Sequence, residues 1–263
     1  MARKIAVAAL VFAVAGALAQ TPAARPAFDA FEVATVKPVD AGAKDGRMFK
    51  MDGPHRWKAT NFTLLNLIAL AYDLNPRTIS GGPGWMDEQK FVIDAVTPGD
   101  VAPARQEQMR MLRALLVERF GLKFHRQDKE FSIYELDVAK GGPKLKPAAK
   151  PDDPQQLIGV VYPGKIEVPA RNVTMDDFVA MLQRATLDRP TVNKTGLTGK
   201  YDFDLVWAQD ETQYGGQLGK APDDAQSPPL FTAVQEQLGL KLVATKGMVS
   251  ALVVDGAQRP TAD

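Results

Sequence analysis

Apolar and polar residues alternate from Phe31 to Pro38, where proline ends the run, and this period of two predicts a half-buried strand. A short strand about Trp57–Thr60 leads into a helical pattern. Asn61 or Thr63 is placed to cap free backbone N–H groups, and Leu64, Leu67, Ile68, Ala71 and Tyr72 fall on one face. Asn75-Pro76 ends that helix, Ile79–Trp85 is rich in glycine and reads as a turn, and Phe91–Val96 returns to strand. A second helix is predicted from Ala104 to Arg119, with Met109, Leu112, Leu115 and Leu116 as its apolar stripe and Gly121 closing it. Leu122–His125 and Ser132–Val138 then read as two strands of a hairpin across the charged turn Arg126–Glu130.

The same order of patterns returns further along. Ile166–Val168 is a strand, and Thr174 with Asp177 gives a capping-box-like helix start. Met175, Phe178, Val179 and Leu182 form the apolar face, the Asn193–Gly199 turn follows, and Tyr201–Val206 is a strand. Leu230–Leu238 is a helix stopped by Gly239, and Leu240–Leu242 with Val249–Val254 reads as a second hairpin. Asn61 maps to Asn172 at an offset of 111, Lys90 to Lys200 at 110 and Gly121 to Gly239 at 118, so the offset changes only in predicted loops. The expected fold class is therefore α+β, built as two duplicated β-α-β-α-β-β units with helices on one face of a small sheet. The expected boundaries are residues 31–140 for the first unit, 141–157 for a linker and 158–256 for the second unit. A flexible insertion is expected at 208–229 and a tail at 257–263.

Charge and composition narrow the function. Thirty-two basic and 31 acidic residues leave a net charge of +1, which is no electrostatic footprint for nucleic acid. Arg3 and Lys4, the apolar run Ile5–Leu18 and the Ala17-Leu18-Ala19 site predict a signal peptide over residues 1–19, followed by a flexible leader at 20–30. The apolar run is short against the roughly 20 residues a membrane span needs. Cleavage near Ala19 implies a periplasmic or secreted protein with no integral membrane segment in its mature form. There is no cysteine, which removes disulfides, thiolate metal sites and a cysteine nucleophile.

The strand Phe31–Pro38, Gly81-Gly82-Pro83-Gly84-Trp85, Glu118–His125, Tyr134-Glu135-Leu136, Ala139–Leu145, Lys194–Phe203 and Phe231–Leu242 together resemble the acidobacterial soil protein family. That resemblance implies an exported protein carrying a domain of unknown function, and it implies no activity. Some members look as if they are joined to membrane-embedded sensor metallopeptidases of the beta-lactam-receptor type. Separately, Ile166 to Val206 with the helix and strand after it is similar to the short N-terminal domain of secretins and TonB-dependent receptors, modules that bind other envelope proteins.

Chemistry is sparse. His55 and His125 are about 70 residues apart, and no zincin, nucleophile-elbow or Walker pattern occurs. Asp152-Asp153 and Asp223-Asp224 fall in predicted loops, while Asp176-Asp177 falls in a helix first turn, where acids complement the helix dipole. Asp94 and Asp204 recur at matching places, yet alternation alone turns such residues outward. The expectation is no catalytic residue, no metal and no cofactor. The candidate ligand or partner contacts are Gly82 and Trp85 in the glycine-rich turn, His125 at a strand end and Tyr134 in the strand that follows. The expected partner is an envelope protein or a small ligand. The alternative is an extracytoplasmic hydrolase with an acid or His125 at its site.

Overall fold

The computed structural model describes residues 25–39, 46–216 and 218–261. The signal peptide expected at residues 1–19 lies outside them. Along the first half run β1 (Val33–Pro38), β2 (Met48–Met51), β3 (Arg56–Thr63), α1 (Leu64–Ala71), β4 (Ile79–Gly81), β5 (Lys90–Val96), α2 (Arg105–Phe120) and β6 (Lys123–Val138). Short strands β7 (Lys146–Pro147), β8 (Gln156–Leu157) and β9 (Val160–Tyr162) come next. They are followed by β10 (Lys165–Val173), α3 (Met175–Met181), β11 (Thr191–Asn193), β12 (Tyr201–Trp207), α4 (Leu230–Leu238) and β13 (Leu240–Gly256). The class is mixed α+β, as the periodicities require.

The local rules hold at the caps. Thr63 Oγ1 accepts the Asn66 N–H at 3.2 Å and Thr174 Oγ1 accepts the Asp177 N–H at 3.2 Å, so each threonine satisfies a donor that the helix leaves free. Gly121 and Gly239 close α2 and α4 in the left-handed region, at φ 55° and 65°. Asn61 and Asn172, two residues before each threonine, sit at φ 60° and 59°, where β3 and β10 each slip register against their neighbours. Asparagine tolerates that backbone better than most residues, so each Asn-x-Thr is a bulge followed by a cap.

Two apolar cores result. In the first sheet, ordered β1-β5-β3-β2, Phe91, Ile93 and Ala95 alternate inward on β5 and meet Trp57 and Ala59 of β3. Leu67 and Ile68 of α1 and Met109, Leu112 and Leu116 of α2 cover that face. The second sheet, β7-β12-β10-β8 with β9 also on β10, turns Phe203, Leu205 and Trp207 toward Phe178 of α3 and Val234 of α4. Residues 141–157 supply the edge strands β7 and β8 of this sheet. Within 208–229, Ala208 bridges Pro229, and Gln213 Oε1 accepts the buried Trp207 indole N–H at 2.9 Å. Residues 25–30 are also anchored, with Phe28 buried and Arg25 paired to Glu107 at 2.6 Å.

The third sheet overturns both predicted hairpins. Instead of turning at Arg126–Glu130, β6 continues for 16 residues, and β13 continues for 17, and the two pair with each other antiparallel from Leu240↔Val138 to Gly256↔Lys123. The charged middle stays extended because each strand's backbone groups bond to the other strand, leaving the polar side chains free to face water on both sides of the ribbon. Under the offset of 118 set by the two capping glycines, Glu130 corresponds to Met248, and these two residues face each other at the ribbon's midpoint. The short strands cross over: β4 pairs parallel with β13 at Ile79↔Leu252, while β11 pairs parallel with β6 at Thr191↔Tyr134. Leu252 and Val254 accordingly bury in the first core, and Tyr134 and Leu136 in the second. Each half thus completes its core with a strand from the other half.

Candidate functional site

Of the four residues singled out from the sequence, Gly82 and His125 fall at the same end of the third sheet, where Gly81 pairs with Val254 and Val253 with His125, and Tyr134 stands away from them. His125 and Tyr134 lie nine residues apart on one strand, about 30 Å at the usual strand rise. Gly82 has φ 76°, and a Cβ there would come within 3.0 Å of Val254 Cγ1 and 3.1 Å of Met86 Sδ, so the glycine lets its turn lie against β13. Trp85 is half-buried, stacks edge-on against Phe91 at 6.3 Å between centroids, and already carries the Arg259 guanidinium over its ring at 5.3 Å. His125 Nδ1 lies 2.8 Å from Asp255 Oδ1, with both side chains about half exposed. Asp255 carries no mark of its own in the sequence, because the pair forms across strands far apart in the chain.

Tyr134 belongs to a different neighbourhood, the junction between the halves. Its hydroxyl donates to Asp188 Oδ1 at 3.0 Å, Phe231 packs edge-on at 5.2 Å, and Arg189 lies over its ring at 5.1 Å. Burial and then the Asp188 carboxylate push the phenol above its ordinary value, so Tyr134 stays protonated and donates. Beside it, Asp73 follows α1 at φ 53° and is shared by Arg105 and Arg184, the latter at 2.8 Å. Burial raises the Asp73 carboxyl, and Arg105 opposes that shift. Buried Asn75 donates from Nδ2 to the Gln183 and Leu187 carbonyls at 2.8 and 3.1 Å, and Gln183 Nε2 donates back to the Asp73 carbonyl at 2.7 Å. None of Asp73, Asn75, Gln183 or Arg184 carries a motif. The only trace in the sequence is polarity at the end of an apolar helix.

The repeated acids are ion-paired on outward faces. Arg56 holds Asp94 through two N–H groups at 2.7 and 2.6 Å, and Arg171 holds Asp204 at 2.9 Å. Among the described residues no group of three or more His, Asp or Glu side chains is arranged to hold a metal ion. No helix among them is long and apolar enough to cross a membrane.

One edge is chemically distinctive. β9 pairs with β10 on one side, and among the described residues no strand pairs with its other side. Ile158 is 63% exposed, Val161 46% and Tyr162 42%, with Val160 exposed between them. Edges are normally blunted by charge or proline, and here four apolar side chains in five residues stand in water. Backbone donors and acceptors flanked by apolar side chains can take up an extended peptide as a further strand.

Residues 65–257 match a family model described as protein of unknown function (DUF3738). No curated protein and no solved structure matches the chain.

Proposed function

We propose, from the premise that the chain belongs to this family of proteins of unknown function, that it is an exported, non-catalytic protein that binds an extended segment of another envelope protein. The observation that carries the reading is the open β9 edge with Ile158, Val160, Val161 and Tyr162 exposed along it. The N-terminal charge and apolar pattern supports export to the periplasm or beyond. The residue patterns shared with the acidobacterial family, and the likeness of the second half to envelope-receptor modules, support a partner in the same compartment. The repeated element order and the reciprocal β4 and β11 pairings support an origin by duplication.

The test is affinity capture from the organism's own envelope fraction with wild-type protein and with Val161→Lys, which puts a charge on the edge. A protein recovered reproducibly by the wild type and lost with the variant, at unchanged thermal midpoint, supports strand addition. Equal recovery by both, or by neither, overturns it.

A second reading, an extracytoplasmic hydrolase, is favoured by the His125–Asp255 pair, since a carboxylate on Nδ1 orients an imidazole as a general base. Among the described residues no serine or threonine hydroxyl hydrogen-bonds to that imidazole, so the base has no nucleophile to activate and would have to act on water. Screening glycan, peptide and ester substrates decides: turnover lost in His125→Ala without unfolding supports this reading, and turnover unaffected by the substitution removes His125 from it.

A further inference from the structure

The two short strands on the open side of β10 are one strand. Gln156 and Leu157 pair with Arg171 and Ala170, and Val160, Val161 and Tyr162 pair with Glu167, Ile166 and Lys165. The register is single, because the step from Leu157 to Val161 matches the step from Ala170 to Ile166. The break between them, at Ile158 and Gly159, falls across from Pro169 and Val168, and proline has no N–H to give a ladder. Residues 156–162 therefore form one edge of seven residues, Gln-Leu-Ile-Gly-Val-Val-Tyr, with no charged side chain. The opposite edge of the same sheet is β7, Lys146-Pro147, which is short and carries lysine and proline, the usual protection of an edge. Among the described residues the sheet is thus guarded on one side and open on the other.

The open edge is complementary to itself. Leu157, Gly159 and Val161 lie across from buried Ala170, Val168 and Ile166 and so belong to the core face, while Ile158, Val160 and Tyr162 belong to the outer face. A two-fold axis perpendicular to the sheet keeps each face with its like. Centred on Gly159, antiparallel self-pairing sets Ile158 against Val160 of a second copy, Leu157 against Val161 and Gln156 against Tyr162, so every residue of the edge is paired and no like charges meet. The flanking charges agree with that direction. Asp152 and Asp153 precede the strand, and Lys165, which stands over the Tyr162 ring at 5.2 Å, follows its turn. Antiparallel pairing brings the acidic end of one copy beside the basic end of the other, whereas parallel pairing would set like beside like. Asp153 is 61% exposed and Lys165 42%, so each has room for a further contact beyond Lys150 and Glu167 of its own chain.

We propose that a second copy of this chain occupies the edge, the two copies pairing residues 156–162 antiparallel about Gly159 so that their second sheets join into one. The assembly closes at two copies, because each contributes one open edge and the β7 edges are guarded. The pairing rests on the same open edge as the proposed function and adds its regulation. The dimer masks the edge, so an envelope segment is taken up only after the copies part, and its apparent affinity falls as the protein is concentrated.

The experiment is sedimentation equilibrium of the full mature chain from about 1 µM to about 1 mM, the range in which an interface this small associates. The expected result is a reversible monomer–dimer equilibrium, weakened about 10-fold or more by Ile158→Lys and by Val160→Glu. These two exposed positions face each other across the copies, so an equimolar mixture of the two variants should recover dimer that neither forms alone. Thermal midpoints on dilute protein should match the wild type. A wild type that stays monomeric throughout, a dimer indifferent to Ile158→Lys, or a mixture no more associated than its parts overturns the pairing. If either variant unfolds, hydrogen exchange of the wild type decides instead: amides within 156–162 should lose protection on dilution, and protection independent of concentration overturns the proposal. Capture from the envelope fraction keeps the two readings distinct. A monomer that captures a segment lost in Val161→Lys removes the dimer and leaves the proposed function, and a dimer that captures nothing does the reverse.

Discussion

Gly239 and Gly121 each end a helix with the same left-handed backbone, but their surroundings differ. A Cβ at Gly239 would lie 2.1 Å from the Gly142 carbonyl oxygen and 2.9 Å from the Lys144 nitrogen, whereas at Gly121 the nearest atom is the Gln258 side chain at 3.7 Å. Gly121→Ala should therefore cost only the conformational penalty, about 1 kcal/mol. Gly239→Ala adds a backbone clash and should cost several times that in urea unfolding; equal losses would show that the Gly142 loop yields freely. Charge acts at the same scale. The Arg56 hydrogen bonds hold Asp94 below its ordinary carboxylate range, so this pair adds stability above about pH 3.8 and loses it as pH falls through the lowered folded value. The stability gap between wild type and Asp94→Asn should close on acidification across that window, and a gap constant with pH would remove the linkage. Asp73 has the opposite sign, because burial raises its carboxyl: its proton stabilises the fold at low pH, and that contribution fades as pH rises through the raised value.

At the scale of elements, the ribbon of β6 and β13 decides how the chain is organised. Its ends are buried through Leu136, Leu240, Leu252 and Val254, while Arg126–Asp128 and Val243–Lys246 are exposed. Amides in the middle are protected by ladder hydrogen bonds alone, those at the ends by ladder and core together. Hydrogen exchange should show residues 128–131 and 247–250 exchanging well before 133–136 and 252–254; uniform protection along the ribbon would contradict this. The charged run Arg126–Glu130 has the pattern of a turn because polarity without apolar alternation is also what a turn looks like. A strand exposed on both faces carries no period-two signal.

For the whole molecule, the exchange of strands makes the halves interdependent. The first core lacks Leu252 and Val254 without β13, and the second lacks Tyr134 and Leu136 without β6. The junction adds Asn75 to Gln183 and Asp73 to Arg184. Residues 25–140 expressed alone should show no cooperative unfolding transition, and mixing them with 141–261 should restore one. A first half that melts cooperatively by itself would mean that the borrowed strand is dispensable.

The sequence by itself determined the local structure: the threonine caps, the left-handed glycines, the inward alternation of Phe91, Ile93 and Ala95, and the order of helices and strands. Each of these follows from hydrogen bonds or periods within a few residues. Tertiary structure alone decided that β6 meets β13, that β4 and β11 cross between halves, and that Asp73, Asn75 and Arg184 share a junction. It also decided that His125 and Tyr134 stand apart. The physical reason is that strand pairing and ion pairing join residues tens to more than a hundred positions apart in the chain, and neither leaves a periodic mark on the segments it joins. Of the candidate contacts, Gly82 serves close packing and Trp85 already holds Arg259.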